Sequence, residues 1–240
     1  MTSLPGFGDK LPKVAKPKFE LIKLCYEVAH QYCFQYIETP HIELAQTLTK
    51  GSGEEIQKEI YFFTDKGGRK LGLRFDLTVP LSRFISDHRN EIEIPFKRFT
   101  YGNVFRGEKP QKGRYREFTQ IDFDIVGDSS QYSEIEILEV ISGVLKRLGI
   151  KFQIHVNDRR ILDFLAASLK PKSKEEFLRI LDKHRKLSEN EFINQLANVL
   201  SANSVDKLML YKQTPRLLLE EFQKEHKFLA PALSQVLDYF

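Results

Sequence analysis

The chain of 240 residues has no tryptophan and only two cysteines, and none of its 13 glycines falls after Gly149. Cys25 and Cys33 stand eight apart in a stretch of helical spacing, near its apolar stripe. No CxxC motif or Cys/His cluster accompanies them, so both are expected as reduced core thiols. The six histidines are scattered without HxxxH or HExxH spacing, which argues against a protein-ligated zinc. No metal-binding residue is assigned, and any metal is expected to arrive with a substrate. No apolar run approaches the roughly 18 residues of a membrane span, and the start MTSLPGFGDKLP lacks the hydrophobic stretch of a signal peptide. The expectation is a soluble, cytoplasmic protein with no membrane partner. Polar low-complexity tracts are absent too, and 41% hydrophobic with 29% charged residues is the composition of a folded chain. The net charge of +4 permits an RNA or nucleotide partner without requiring one.

The glycine distribution divides the chain. Turn chemistry belongs to the first part, and beyond Gly149 leucine becomes frequent at helical spacings. A boundary is expected near residue 158, between an α+β part (1–158) and an all-helical part (159–240). In the first part Phe19, Ile22, Tyr26, Ala29 and Cys33 mark a helix leading into an extended run, Gln35 to Pro40. A short helix is expected around Ile42 to Leu48. Tyr61 to Thr64 and Lys70 to Thr78 flank the turn Asp65-Lys66-Gly67-Gly68 and predict a β-hairpin. Pro80 to Ser86 returns to helix; Phe96 to Glu108 and Glu117 to Val126 read as strands. Ser130 to Leu148 reads as a long helix ended by Gly149, and Phe152 to Asn157 as one more strand. With hairpins dominating, the expected fold class is α+β: a mostly antiparallel sheet flanked by helices and followed by an all-helical segment.

Strand parity points to a site. From Glu117 to Val126 the odd positions include Ile121, Phe123 and Ile125, while Phe118, Gln120, Asp122 and Asp124 share the other face. In Leu71 to Thr78 the odd side is apolar and the even side carries Arg74, Asp76 and Thr78. Arg106 and Glu108 share a face at the end of the preceding strand. The stretch Arg106 to Glu117 holds five Arg or Lys against two Glu, a charge that attracts a triphosphate. Any strand with one wet face alternates in this way, so parity suggests a site without naming its reaction. Aromatic, guanidinium and carboxylate groups on one face can together stack a base, clamp phosphates and accept an ammonium or imidazolium.

The stretch FRGEKPQKGRYREFTQIDFDIVG, Phe105 to Gly127, resembles motif 2 of class II aminoacyl-tRNA synthetases in its histidyl form, and LGLRFDLTVPLSRF, Leu71 to Phe84, resembles that family's amino-acid-binding segment. GSGEEIQKEIYFFTDKGGRKL, Gly51 to Leu71, is similar to the histidyl type, and the helix and strand ending at Pro40 resemble the dimer-forming motif 1. The resemblance implies the class II antiparallel sheet. It also implies formation of histidyl-adenylate from histidine and ATP, with Mg2+ carried by the ATP, then transfer to tRNA-His. Carried over to matching positions, it puts Arg106 on the α-phosphate as the catalytic residue. Glu108 falls near the adenine edge, Phe118 against the base, and Arg114 on the terminal phosphates or the tRNA end. Asp76, Thr78 and Gln120 are implied to hold the α-ammonium of histidine, and Asp124 to face its imidazole. Arg74 is expected to pair with one of the acids, and Asp122 to be a supporting carboxylate. The nucleophile is the substrate's own carboxylate, so orientation and electrostatics suffice and no Ser, Cys or His nucleophile is needed.

Parts of the family pattern have no match. There is no RGLDYYTG-like histidine signature, no glycine-rich motif 3 ending in arginine, no anticodon-binding domain, and Gly8 stands where an arginine is expected. The terminal Leu237-Asp238-Tyr239-Phe240 has only a superficial likeness to the signature. The expectation is therefore the N-terminal part of a ligase of this family, inactive as an isolated chain and homodimeric through the region before Pro40. Lys170, Lys172, Lys174, Lys183, Arg185 and Lys186 are candidate tRNA-phosphate contacts in the helical part, or an ordinary solvated surface. The alternative is a non-catalytic histidine-binding relative, similar to the regulatory subunit of ATP phosphoribosyltransferase.

Overall fold

A computed structural model describes residues 4–156 and 158–225. The chain divides into two compact units, Met1–Phe152 and Gln153–Phe240. In the first, helix α1 (Pro12–Gln31) leads through a left-handed residue, Cys33, into β1 (Gln35–Tyr36). There follow β2 (Ile42–Leu44), α2 (Ala45–Thr49), α3 (Glu54–Glu59), the hairpin β3 (Phe62–Thr64) and β4 (Lys70–Leu73), and α4 (Thr78–Asp87). The long strands β5 (Phe96–Phe105) and β6 (Glu117–Val126) precede α5 (Gln131–Arg147). Two three-stranded sheets result, ordered β1-β5-β6 and β2-β4-β3, antiparallel throughout except where β1 runs parallel to β5.

The ladder between β5 and β6 pairs Arg98 with Asp124, Thr100 with Asp122, Gly102 with Gln120 and Val104 with Phe118. These even positions form one face. On the other, buried Phe99 with Ile121, Phe123 and Ile125 packs against Cys25, Val28 and Ala29 of α1 and Val140 and Val144 of α5. Helix α5 stops where Gly149, at φ 68°, takes the left-handed conformation that a side chain disfavours.

The second unit contains α6 (Arg159–Leu169), α7 (Lys174–Lys183), α8 (Glu189–Val199), α9 (Ala202–Gln213) and α10 (Pro215–Glu225), with one 3-10 turn at His184–Lys186. Asp158, Ser173, Ser188 and Ser201 each accept a backbone N–H at a helix start, as N-caps do. Phe177, Phe192, Leu196 and Tyr211 lie at the centre of its apolar core. Among the described residues no helix is long and apolar enough to cross a membrane.

Several local expectations change. Cys25 is buried, but Cys33 is exposed beyond the helix end, occupying at φ 60° the position after the C-cap that glycine usually fills. The buried stripe of α1 is Ile22, Cys25, Val28 and Ala29, leaving Phe19 63% and Tyr26 43% exposed, because apolar residues surround this helix and several spacings fit. Ile42 to Leu44 is strand, since the hairpin edge at β4 offers it a hydrogen-bonding partner, and only Ala45 onward is helical. Residues 152–156 form no strand, and Asn157 lies outside the described residues. The strand expected to reach Glu108 ends at Phe105.

Arg74 joins the two sheets. It is 3% exposed, and its Nε donates to Asn103 O at 2.8 Å while Nη1 donates to Thr39 O at 2.8 Å. The carboxylate pairing expected for it is replaced by these carbonyls. Its guanidinium fills the space over Gly102, where a side-chain methyl would overlap Nη2. Gly102→Ala is therefore expected to destabilise the chain by about 1–3 kcal/mol, the usual effect of overpacking. Gly8→Ala, with open space around it, should leave the thermal midpoint nearly unchanged. Equal midpoints for both variants in a thermal melt would refute this role for Arg74.

Candidate active site on the even face of the sheet

The segment between β4 and α4 lies alongside β5. Arg74 O accepts from Phe105 N at 3.0 Å, Phe75 O from Arg106 Nε at 3.3 Å, and Leu77 O from Arg98 Nη1 at 3.2 Å. These bonds set the segment beside the face that carries Phe118, Gln120, Asp122 and Asp124, with Asp76 close enough to Asp122 to act on its charge. The strand expected over Lys70 to Thr78 ends at Leu73 and Thr78 begins α4, so alternation does not sort Arg74, Asp76 and Thr78; the three bonds place this segment instead.

At one end, the Arg106 guanidinium lies 4.5 Å from the ring centroid of Phe75 and 5.0 Å from that of Phe118. Two aromatic faces and one backbone acceptor fix its plane, an arrangement that suits a planar cation. Both Nη atoms remain without a protein acceptor among the described residues. Arg114 forms an ion pair with Glu108 at 2.8 Å and is 61% exposed, so an anionic ligand would compete with a carboxylate for it. The neighbouring Arg116 is structural. Its Nε donates to Glu108 O at 2.9 Å, and its N–H, with that of Glu117, donates to Gly6 O at 2.9 and 3.2 Å.

At the other end are the carboxylates. Asp76 Oδ1 accepts from the N–H groups of Thr78 and Val79 at 3.0 and 2.9 Å, capping α4, and Thr78 itself is exposed. Gln120 Nε2 donates to both oxygens of Asp122, at 2.9 and 3.1 Å. Burial raises the Asp122 carboxyl above its ordinary range; Gln120 and Arg98 oppose the rise, and Asp124 and Asp76 add to it. Asp124 pairs with Arg98, whose Nε is 2.9 Å from Oδ2 and whose Nη2 also contacts that oxygen. Arg98, 0% exposed, is the residue that sequence reasoning missed. Its signal was available: an arginine on the even side of a strand whose odd positions are Phe99 and Tyr101.

Among the described residues no group of three or more His, Cys, Asp or Glu is placed to hold a metal ion. In the helical unit Lys172 Nζ donates to Asn198 O at 3.2 Å and Lys174 pairs with Asp163 at 3.0 Å, whereas Lys170, Lys183 and Lys186 are exposed. The side chain of Arg185 and the segment Leu237 to Phe240 lie outside the described residues.

Comparison with known proteins bears on the family and the fold. The family model for histidyl-tRNA synthetase matches residues 6–238. The histidine–tRNA ligase of Wolinella succinogenes is 50% identical over 200 residues, covering 82% of this chain and 45% of the relative. That of Helicobacter hepaticus is 46% identical over 215 residues, covering 87% and 49%. The chain thus spans about half the length of the curated relatives it matches. Among solved structures, a histidyl-tRNA synthetase from Nostoc superposes with a TM-score of 0.83 at 24% identity, over 99% of this chain and 57% of that one. A Bacillus halodurans protein titled as an ATP phosphoribosyltransferase regulatory subunit/histidyl-tRNA synthetase gives 0.80 at 21%, over 99% and 64%. These two likenesses concern the fold. The extent of the family match and the identity to the ligases, together with the motif residues assembled on the even face, establish that the chain belongs to the histidyl-tRNA synthetase family.

Proposed function

We propose that this chain supplies the ATP- and histidine-contacting part of a soluble, cytoplasmic histidine–tRNA ligase. The observation that carries the reading is Arg106, oriented between Phe75 and Phe118 with both Nη atoms open. In the proposed reaction a carboxylate oxygen of histidine attacks the α-phosphorus of ATP, and the bond to pyrophosphate breaks. Negative charge then grows on the α-phosphate oxygens, where a fixed guanidinium stabilises it without reorganisation. A 3′-terminal ribose hydroxyl of tRNA-His next attacks the histidyl carbonyl and AMP leaves. Magnesium would come as part of the ATP substrate, offsetting phosphate charge, and no side chain is assigned to hold it. Phe118 would offer a face to adenine, Glu108 an acceptor near the base edge, and Arg114 an exposed cation for the terminal phosphates. Asp76, Thr78 and Gln120 would receive the α-ammonium, and Asp124 the imidazole. Residues 1–158 would serve as an incomplete catalytic core, and residues 159–240 as an insertion that approaches tRNA. The non-catalytic alternative has less behind it: the ligase relatives are 46–50% identical, and histidine sensing alone gives no reason to keep an arginine with open Nη atoms.

Homodimerisation through the region before Pro40 is proposed on its exposed apolar surface. Leu11 is 70%, Val14 55% and Tyr36 38% exposed, a density of wet apolar groups that marks interaction surfaces. Light scattering at micromolar concentration should give twice the chain mass, and a monomer would refute this.

Arg106→Ala should weaken ATP binding by about tenfold or more, as expected for charged hydrogen bonds, with the fold unchanged by circular dichroism. Unaltered affinity would remove Arg106 from the site. ATP–pyrophosphate exchange should be tried with each of the twenty amino acids. The isolated chain is expected to give none, for want of the histidine signature. Exchange with histidine alone would make that signature dispensable, and exchange with a different amino acid would overturn the substrate assignment.

A further inference from the structure

Arg98 has no role in the reaction proposed above, yet it is the most heavily committed cation on the even face. Its guanidinium is 0% exposed and reaches three acceptors from two parts of the chain: Leu77 O before α4, and Asp122 Oδ2 at 3.5 Å and Asp124 Oδ2 on β6. A buried guanidinium requires such pairing, and its planar fork also imposes a direction on whatever it binds. That direction is selective. Both bonds to Asp124 fall on Oδ2, so Oδ1 has no protein partner among the described residues, although the side chain is only 27% exposed. Asp122, by contrast, has both oxygens taken by Gln120. Asp76 similarly commits Oδ1 to the start of α4, and its Oδ2 takes no hydrogen bond among the described residues. One buried cation therefore pairs with two carboxylates, and of these only Asp124 keeps an oxygen without a protein partner among the described residues.

We propose that Arg98 is a positioning residue for ring recognition, holding Asp124 by one oxygen so that the other accepts an N–H from the ligand's imidazole. The inference rests on the histidine reading of this site and adds the residue that sets its specificity. A lysine cannot replace the fork, because a single ammonium does not fix the carboxylate plane. The surplus negative charge left by the cluster also suits a ligand carrying an ammonium.

The test is discrimination between L-histidine and β-(2-thienyl)-L-alanine, whose five-membered ring has no N–H. Both are titrated into the 240-residue chain at millimolar concentrations and followed by protein NMR. The unaltered chain should favour histidine by about tenfold or more, as a hydrogen bond to a charged acceptor allows. Arg98→Met leaves two unpaired carboxylates and risks misfolding, so Arg98→Met is also combined with Asp122→Asn, which removes one of them and keeps Asp124. In the folded variants and in Arg98→Lys, the preference should collapse to within about threefold, with thienylalanine affinity little changed. A preference that survives in a folded variant would overturn the inference alone, leaving Arg98 with a structural role. Equal binding of the two ligands by the unaltered chain, or binding of neither, would overturn the histidine reading and the inference with it.

Discussion

The antiparallel ladder between β5 and β6 is the constraint on which the site depends. Its ten paired positions decide at once which residues enter the core and which meet on the opposite face. A slip of one residue would turn Phe99 and Phe123 outward and bring Arg98 and Asp124 into the apolar layer between the sheet and helices α1 and α5. The packing that holds the register is therefore also what assembles the candidate chemistry, and selection for a stable core carries the polar face with it.

The polar face has two regions with different physics. Around Arg106 the neighbours are aromatic, and a cation is oriented by ring faces while its hydrogen-bonding edge stays open. Around Arg98 the neighbours are acids, and a cation is consumed by its partners while an acid's edge stays open. One region suits an anion and the other a cation. Phosphates and an ammonium-bearing amino acid are a matching pair of ligands, and the reaction proposed for this family brings those two groups together.

Long regular elements were legible because their periodicity extends over many residues. Strand β6 and helix α5 were expected within a residue or two of where they lie, and the hairpin followed from its glycine turn. The even-face residues of β6 were legible for the same reason. What depended on non-local partners was not. Ile42 to Leu44 is strand because β4 presents a free edge, and no pattern within those residues announces it. Cys33 lies outside the helix that its spacing suggested, since a helix end is set by the terminal turn. Arg74 was expected against a carboxylate and instead bonds carbonyls from two other segments, one of them 35 residues away in sequence. Arg98 went unremarked because its meaning lies across the ladder, in Asp122 and Asp124.

The carbonyl of Gly6, which receives the amides of both Arg116 and Glu117, closes the base of the loop that carries Arg114 with a strap from the segment before α1. The strap acts as an entropic brake. With both stems of the loop tethered, Arg106 by its amide to Arg116 and Arg116 by its amide to Gly6, fewer loop conformations compete with the one that pairs Arg114 with Glu108. Residues remote from the proposed ligand contacts thereby bear on where Arg114 is held.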